Sequence, residues 1–254
     1  MATASGAPES LRRAGRDPIV IAHRGASANV PENTLPAFEA AWLAGAQWVE
    51  ADTQPTADGV AVILHDDDLD RTTTGSGPVR RHTAADLDRL QIRGAPGVRV
   101  PQLRSLLSLL GPDRAVLLEI KGEHTTEQIA QILDVCRASG HDQGVFLQSF
   151  EVSVLERLGS LAPARPMGLL VERLDDDPVG RCRALGAVAY NPECRAVIEN
   201  PAVVPTLRAA GITIAVWTSD DPAEWDALTS AGVDAIITNT PAELLAWQQA
   251  RSAI

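Results

Sequence analysis

The chain has 254 residues, of which 45% are hydrophobic and 22% charged, an ordinary balance for a protein able to bury a sizeable core, and one that excludes a mainly disordered chain. A formal net charge of -11 argues against a nucleic-acid backbone or an anionic membrane surface as the principal partner, because both need clustered Lys and Arg. Cys136, Cys182 and Cys194 are odd in number and lack a C-x-x-C spacing, so they read as reduced structural thiols rather than a disulfide framework or zinc knuckle.

The chain starts with MATASGAPESLRRAGR (1–16), which lacks an apolar run of signal-peptide length, and no later segment approaches the roughly 18 apolar residues of a membrane span. The expectation is a cytoplasmic protein with no integral membrane segment and a flexible tail over 1–16. Short apolar, β-branched runs then recur at 18–22, 47–51, 115–120, 145–149, 166–171, 186–190, 212–217 and 233–238, eight strand candidates. Between most of them lie helically spaced stretches, such as Ala37, Phe38, Ala41 and Trp42 after a cap at Asn33, and Ile129, Ile132, Leu133 and Cys136. Alternating β and α means parallel strands. Eight units without a break in composition favour an α/β fold of the TIM-type (β/α)8 barrel, a single domain over 17–254; an open doubly wound sheet also satisfies the periodicity.

A ninth run at 60–64 breaks the alternation. It follows strand two through TADG, too short for a parallel crossover, so it must return antiparallel as a hairpin. With Asp58 and Gly59 as the turn pair, opposed positions sum to 117 and His65 faces Asp52; a bulge would shift this by one. His65 thus lands beside Glu50 and Asp52, which share one face of strand two. The Gly-, Pro- and charge-rich stretch of about 67–100 reads as a small insertion over the barrel mouth.

In a barrel the C-terminal strand ends form the active face, which collects His23 and Arg24, Glu50 and Asp52, and Glu119 and Lys121. Three carboxylates without cysteine suit one hard divalent cation, Mg²⁺ or Ca²⁺. Two histidines supply a proton acceptor and donor, and Arg24 and Lys121 a clamp for an anion. An ordinary core ion pair is the alternative for Glu119 and Lys121. Trp217 ends a strand at the same mouth and is a candidate to pack a substrate's carbons, while His82, His124 and His141 stand in polar surroundings and are expected to be solvated.

The segments AHRGASANVPENTLPAFEAA, VEADTQPTADGVAVILHDDDLDRTTTGSG, LLEIKG, LQSF, AVWTSDDP and VDAIITNTP, in order and over nearly the whole chain, resemble the glycerophosphodiester phosphodiesterase family. The resemblance implies a β/α barrel that hydrolyses small glycerophosphodiesters to glycerol 3-phosphate and an alcohol with a divalent cation. It implies His23 and His65 as the acid/base pair and Glu50, Asp52 and Glu119 as metal ligands. Arg24 and Lys121 match phosphate-contacting positions, and Glu32 of P-E-N lies near the site. The same site on a lysophospholipid, cleaved as by a phospholipase D, and a non-catalytic barrel binding phosphate esters are the competing readings. Two departures stand out: Asn239 where the family commonly has Asp after Thr238, and Pro101, Gln102, Leu103, Arg104 and Ser105 in place of a Pro-x-Leu-Glu-Glu run. Both are expected to bear on substrate contacts rather than on the metal or acid/base residues.

Overall fold

The computed structural model of the chain describes residues 11–13, 15 and 17–252. Most of the expected tail over 1–16 lies outside them, but Leu11 is described and is fully buried, and Arg12 donates to the Gly211 carbonyl at 2.8 Å. From there the chain runs through β1 (Ile19–Ala22), α1 (Leu35–Leu43), β2 (Trp48–Pro55) and β3 (Ala61–Ile63). The insertion follows, with α2 (Ala84–Leu87), and after it α3 (Leu103–Leu107) packs on the main core. The rest alternates: β4 (Ala115–Ile120), α4 (Thr126–Ala138), β5 (Val145–Ser149), α5 (Val152–Leu161), β6 (Met167–Val171), α6 (Pro178–Leu185) and β7 (Ala189–Pro192). Two short helices, α7 (Cys194–Glu199) and α8 (Val203–Ala209), precede β8 (Thr213–Val216), α9 (Pro222–Ala231), β9 (Ala235–Thr238) and α10 (Pro241–Ser252).

Eight parallel strands pair in the order β1-β2-β4-β5-β6-β7-β8-β9, and β9 returns to β1 through Ile19–Ala22 against Ala235–Thr238. The sheet is therefore closed, and the barrel expectation holds over the open alternative. One core lies between barrel and helices and contains Phe38, Leu118, Ile129, Leu155, Ile214 and Leu228. A second fills the barrel, where Ile21, Trp48, Leu117, Phe146, Ala189, Ala215 and Ala235 meet with Leu11. Two residues further along the same strand faces come His23, Glu50, Glu119, Gln148, Asn191, Trp217 and Ile237, so the period of two converts an apolar plug into a mostly polar mouth.

Three local expectations are corrected. Helix α1 is capped by Thr34, whose side chain accepts from Ala37 N, while Asn33 takes a positive φ of 56° and turns to the barrel. The seventh strand starts at Ala189 rather than at 186, because Gly186 (φ 69°) is the left-handed cap that ends α6. The hairpin loop has three residues, not two: Gly59 N donates to Thr56 O, Thr56 N donates to Val60 O, and Gly59 sits at φ 81° as the bulged residue. Paired positions accordingly sum to 116, as in Thr53 with Ile63, so Leu64 rather than His65 stands opposite Asp52. The insertion buries a small core of its own, including Leu64, Leu69, Val79, Leu87 and Ile92. Among the described residues no helix is long and apolar enough to cross a membrane.

Candidate active site

Strand β2 carries the centre of the site. Glu50 and Asp52 are 2% and 1% exposed, Glu119 on β4 is 7% exposed, and the three carboxylates offer oxygens within 4.8 Å of one another. Asp52 pairs with Glu119 in the parallel register. Burial, then the neighbouring Asp52 and Glu119, pushes the Glu50 carboxyl well above its ordinary range; burial, then Asp52, lifts Glu119 to about 7. Such a cluster is costly without a cation. Three donors soften it. Asn33 Nδ2 donates to Asp52 Oδ2 at 2.8 Å, Arg24 N donates to Glu50 Oε2 at 3.2 Å, and Lys121 Nζ stands 3.3 Å from Glu119 Oε1 and 4.0 Å from Asp52 Oδ1.

The His-Arg-Gly turn after β1 explains how Arg24 reaches the centre. Arg24 and Gly25 both have positive φ, 55° and 83°, and a Cβ on Gly25 would lie 2.5 Å from the Ala37 carbonyl carbon, so glycine is required where the turn presses on α1. Arg24 Nε lies 3.3 Å from Asp52 Oδ2, and its Nη1 donates to Glu32 Oε1 at 2.9 Å. Glu32 does not border the cleft; it grips Arg24 from behind.

His65 arrives from the hairpin. Because β4 holds one edge of β2 and β1 the lower half of the other, β3 takes the upper half of that second edge, above β1. That swings His65 toward His23. Gln54, fully buried, directs its Nε2 at the carbonyls of Leu64, His65 and Asp66 at 3.0, 3.0 and 2.7 Å, propping the strand end. His65 Nδ1 lies 2.8 Å from Asp66 Oδ1. Arg71 of the insertion then binds Asp66 through Nε and Nη2 and Glu32 through Nη1 and Nη2, at 2.5–2.9 Å. One guanidinium therefore backs both His65 and Arg24. Although burial opposes it, hydrogen bonding by Arg71 and the charge of Arg24 hold the Glu32 carboxyl at about 2, and Arg71 lowers Asp66 as well.

His23 Nε2 lies 4.0 Å from Glu50 Oε2, and its Nδ1 is 2.7 Å from Asn239 Oδ1. Burial, then the Arg24 charge, pushes the imidazole down to about 4. Asn239 was expected to bear on substrate contacts only; instead it touches an expected acid/base residue, because β9 closes the barrel against β1 and places its C-terminal end beside that of β1.

These groups open on a cleft of about 300 Å³ walled by His23, Arg24, Glu50, His65, Glu119 and Lys121 on one side and by Phe150, Leu170, Glu172 and Trp217 on the other. Trp217 meets Phe150 edge to face at 5.4 Å and donates from Nε1 to the Asn191 carbonyl at 2.8 Å. Three larger hollows, about 620, 630 and 480 Å³, lie at the N-terminal barrel face, beside the hairpin and beside His124, but none joins charges of both signs around a buried acidic cluster. Asn33, Gln54, Arg71 and Asn239 were absent from the expected site. Gln54 was within reach, since it continues the two-residue period of Glu50 and Asp52. His124 is 3% exposed rather than solvated; burial holds it down to about 4, and its Nε2 finds no hydrogen-bond partner.

The sequence pattern of the Glycerophosphoryl diester phosphodiesterase family matches residues 23–243. A glycerophosphodiester phosphodiesterase of Caldanaerobacter subterraneus is 33% identical over 235 residues, covering 89% of this chain and 96% of that protein. The crystal structure of a glycerophosphodiester phosphodiesterase from Agrobacterium tumefaciens superposes with a TM-score of 0.80 at 30% identity, covering 90% of this chain and 99% of the other. A phosphodiesterase from Oleispira antarctica, solved with its product sn-glycerol-3-phosphate, superposes with a TM-score of 0.86 at 26% identity, over 95% of this chain and 99% of its own.

Proposed function

The chain belongs to the glycerophosphoryl diester phosphodiesterase family, and on that premise we propose that it is a metal-dependent enzyme hydrolysing small glycerophosphodiesters to glycerol 3-phosphate and an alcohol. The observation that carries this reading is the buried Glu50, Asp52 and Glu119 cluster at a cleft that also presents two histidines, Arg24 and Lys121. Its oxygen-only donor set suits Mg²⁺ or Ca²⁺, and the two carboxyls raised by burial and mutual repulsion are the expected mark of a site short of positive charge. When bound, the cation neutralises this cluster and polarises a phosphoryl oxygen.

The chain's own groups supply the rest. Lys121 and Arg24 hold the non-bridging oxygens, with Glu32 aiming Arg24. His23 and His65 face the cleft as the acid/base pair, one taking a proton from the attacking oxygen and the other giving one to the departing alcohol oxygen; water supplies that attacking oxygen, or opens the cyclic phosphate left when the substrate's own glycerol hydroxyl attacks first. Trp217 packs against the carbon skeleton. A cleft of about 300 Å³ is at the small end of ligand sites, which favours short soluble diesters over an acylated lysophospholipid.

The test is purified protein with glycerophosphocholine and Mg²⁺ or Ca²⁺. Glycerol 3-phosphate should be released, release should stop with chelator, and His23→Ala should lower kcat by about 10²–10⁴-fold. Absence of metal-dependent product would refute the assignment; binding that is indifferent to His23→Ala would favour a non-catalytic barrel.

A further inference from the structure

His23 and His65 are supported differently. His65 Nδ1 lies against a carboxylate oxygen of Asp66 at 2.8 Å, whereas His23 Nδ1 lies against a side-chain amide, Asn239 Oδ1, at 2.7 Å. An amide can present either its oxygen or its NH₂ group to a ring nitrogen, so the partner on its far side decides which. That partner is Asp220, from the loop after β8. Its carboxylate accepts from Asn239 Nδ2 at 2.6 Å, from the Asn239 backbone N–H at 2.7 Å and from the Thr238 hydroxyl at 2.8 Å. An ionised carboxylate only accepts, so the NH₂ group must face Asp220 and the carbonyl oxygen must face His23. The Ser27 hydroxyl lies 2.8 Å from the same oxygen and 2.7 Å from the His23 carbonyl; its single hydrogen can serve either, so the orientation rests on Asp220.

We infer that Asp220 and Asn239 act in series as positioning residues that fix His23 with its hydrogen on Nδ1 and a bare lone pair on Nε2, directed toward the carboxylate cluster. A bare Nε2 accepts a proton and does not give one, so His23 enters the cycle as the acceptor. A histidine side chain free in water favours the Nε2–H tautomer, and the relay reverses that preference. Holding a catalytic imidazole in one tautomer through its far nitrogen is a general device; here a neutral amide stands between ring and carboxylate.

The catalytic consequence rests on the phosphodiesterase reading, but the tautomer does not, and the two are read separately. Nitrogen NMR of the full-length, ¹⁵N-histidine-labelled protein with Mg²⁺ identifies His23 as the ring signal lost in His23→Gln. A protonated Nδ1 and bare Nε2 are expected. Asn239→Ala should release the ring toward the Nε2–H form and lower kcat by about 10–100-fold with less change in KM. The double exchange Asn239→Asp with Asp220→Asn rebuilds the same donors and acceptors and should restore both the tautomer and kcat. If Asn239→Ala does not fold, Asp220→Asn alone, which frees the amide to flip, should give a mixture of tautomers. An Nε2–H ring in the unmodified protein, an unchanged tautomer in these single variants, or an altered tautomer with undiminished kcat would each overturn the inference. The expected tautomer without any diester hydrolysis would leave the relay standing and refute the phosphodiesterase reading instead.

Discussion

Arg71 shows how much of a site can hang on one side chain outside it. It is half exposed, yet it holds the carboxylates behind both His65 and Arg24. Arg71→Ala is expected to lower kcat/KM by about 10–100-fold. Arg71→Lys should not restore it, because a point charge cannot hold two carboxylates as a planar fork does; steady-state kinetics of both variants checks this. His124 makes a different prediction. Its imidazole is depressed from 6.5 to about 4 in the folded chain, so on acidification the unfolded chain takes up the proton first. The stability it contributes is complete above about pH 6.5 and is lost as pH falls toward about 4, on the order of 3 kcal/mol in all. Thermal unfolding of His124→Gln across that window should show a shallower acid decline than the parent. That His23, Glu50, Asp52, His65 and Glu119 meet at one barrel mouth was legible because histidines and paired carboxylates at strand ends are rare by chance. Asn33, Arg71 and Asn239 were not, because amides and arginines are ordinary in loops and their importance is a matter of what lies beside them.

At the level of elements, the strands were legible to within a few residues because β-branched runs bounded by Gly and charge leave little choice. The hairpin register was not. TADG announced a turn, but whether two or three residues formed it depended on Gly59 adopting φ 81° as a bulge, which moves every opposed pair by one. His65 still reached the site, since it lies beyond the last ladder pair, in the stretch whose carbonyls Gln54 holds. Gly59→Ala should destabilise the fold by about 1–2 kcal/mol, the cost of a left-handed residue with a Cβ, measured by chemical denaturation. Closure of the barrel could not be read from alternation alone, which suits an open sheet equally; it is the pairing of β1 with β9 that excludes it.

For the whole molecule, the net charge of -11 includes a cluster of three buried carboxylates, so a cation held there would be a stability term as well as a catalytic one. Glu119 is raised from 4.5 to about 7, so in chelated protein its contribution to stability is complete below about pH 4.5 and is lost as pH rises through about 7; Glu50, also raised, acts in the same sense. The buried histidines push the other way, so the effect is best read against Glu119→Gln: above about pH 7 the chelated parent should melt below that variant, and added Mg²⁺ or Ca²⁺ should reverse the order. The relay at His23 has one more consequence, in time rather than in space. All three metal-cluster carboxylates lie before residue 120, but the amide that turns His23 is 216 residues away from it, on the loop that follows the last strand. A chain growing on the ribosome therefore carries all three clustered carboxylates and both histidines long before it carries the amide that meets His23. A product that ends before β9 lacks both this amide and the strand that closes the barrel on β1, even where its acidic residues survive.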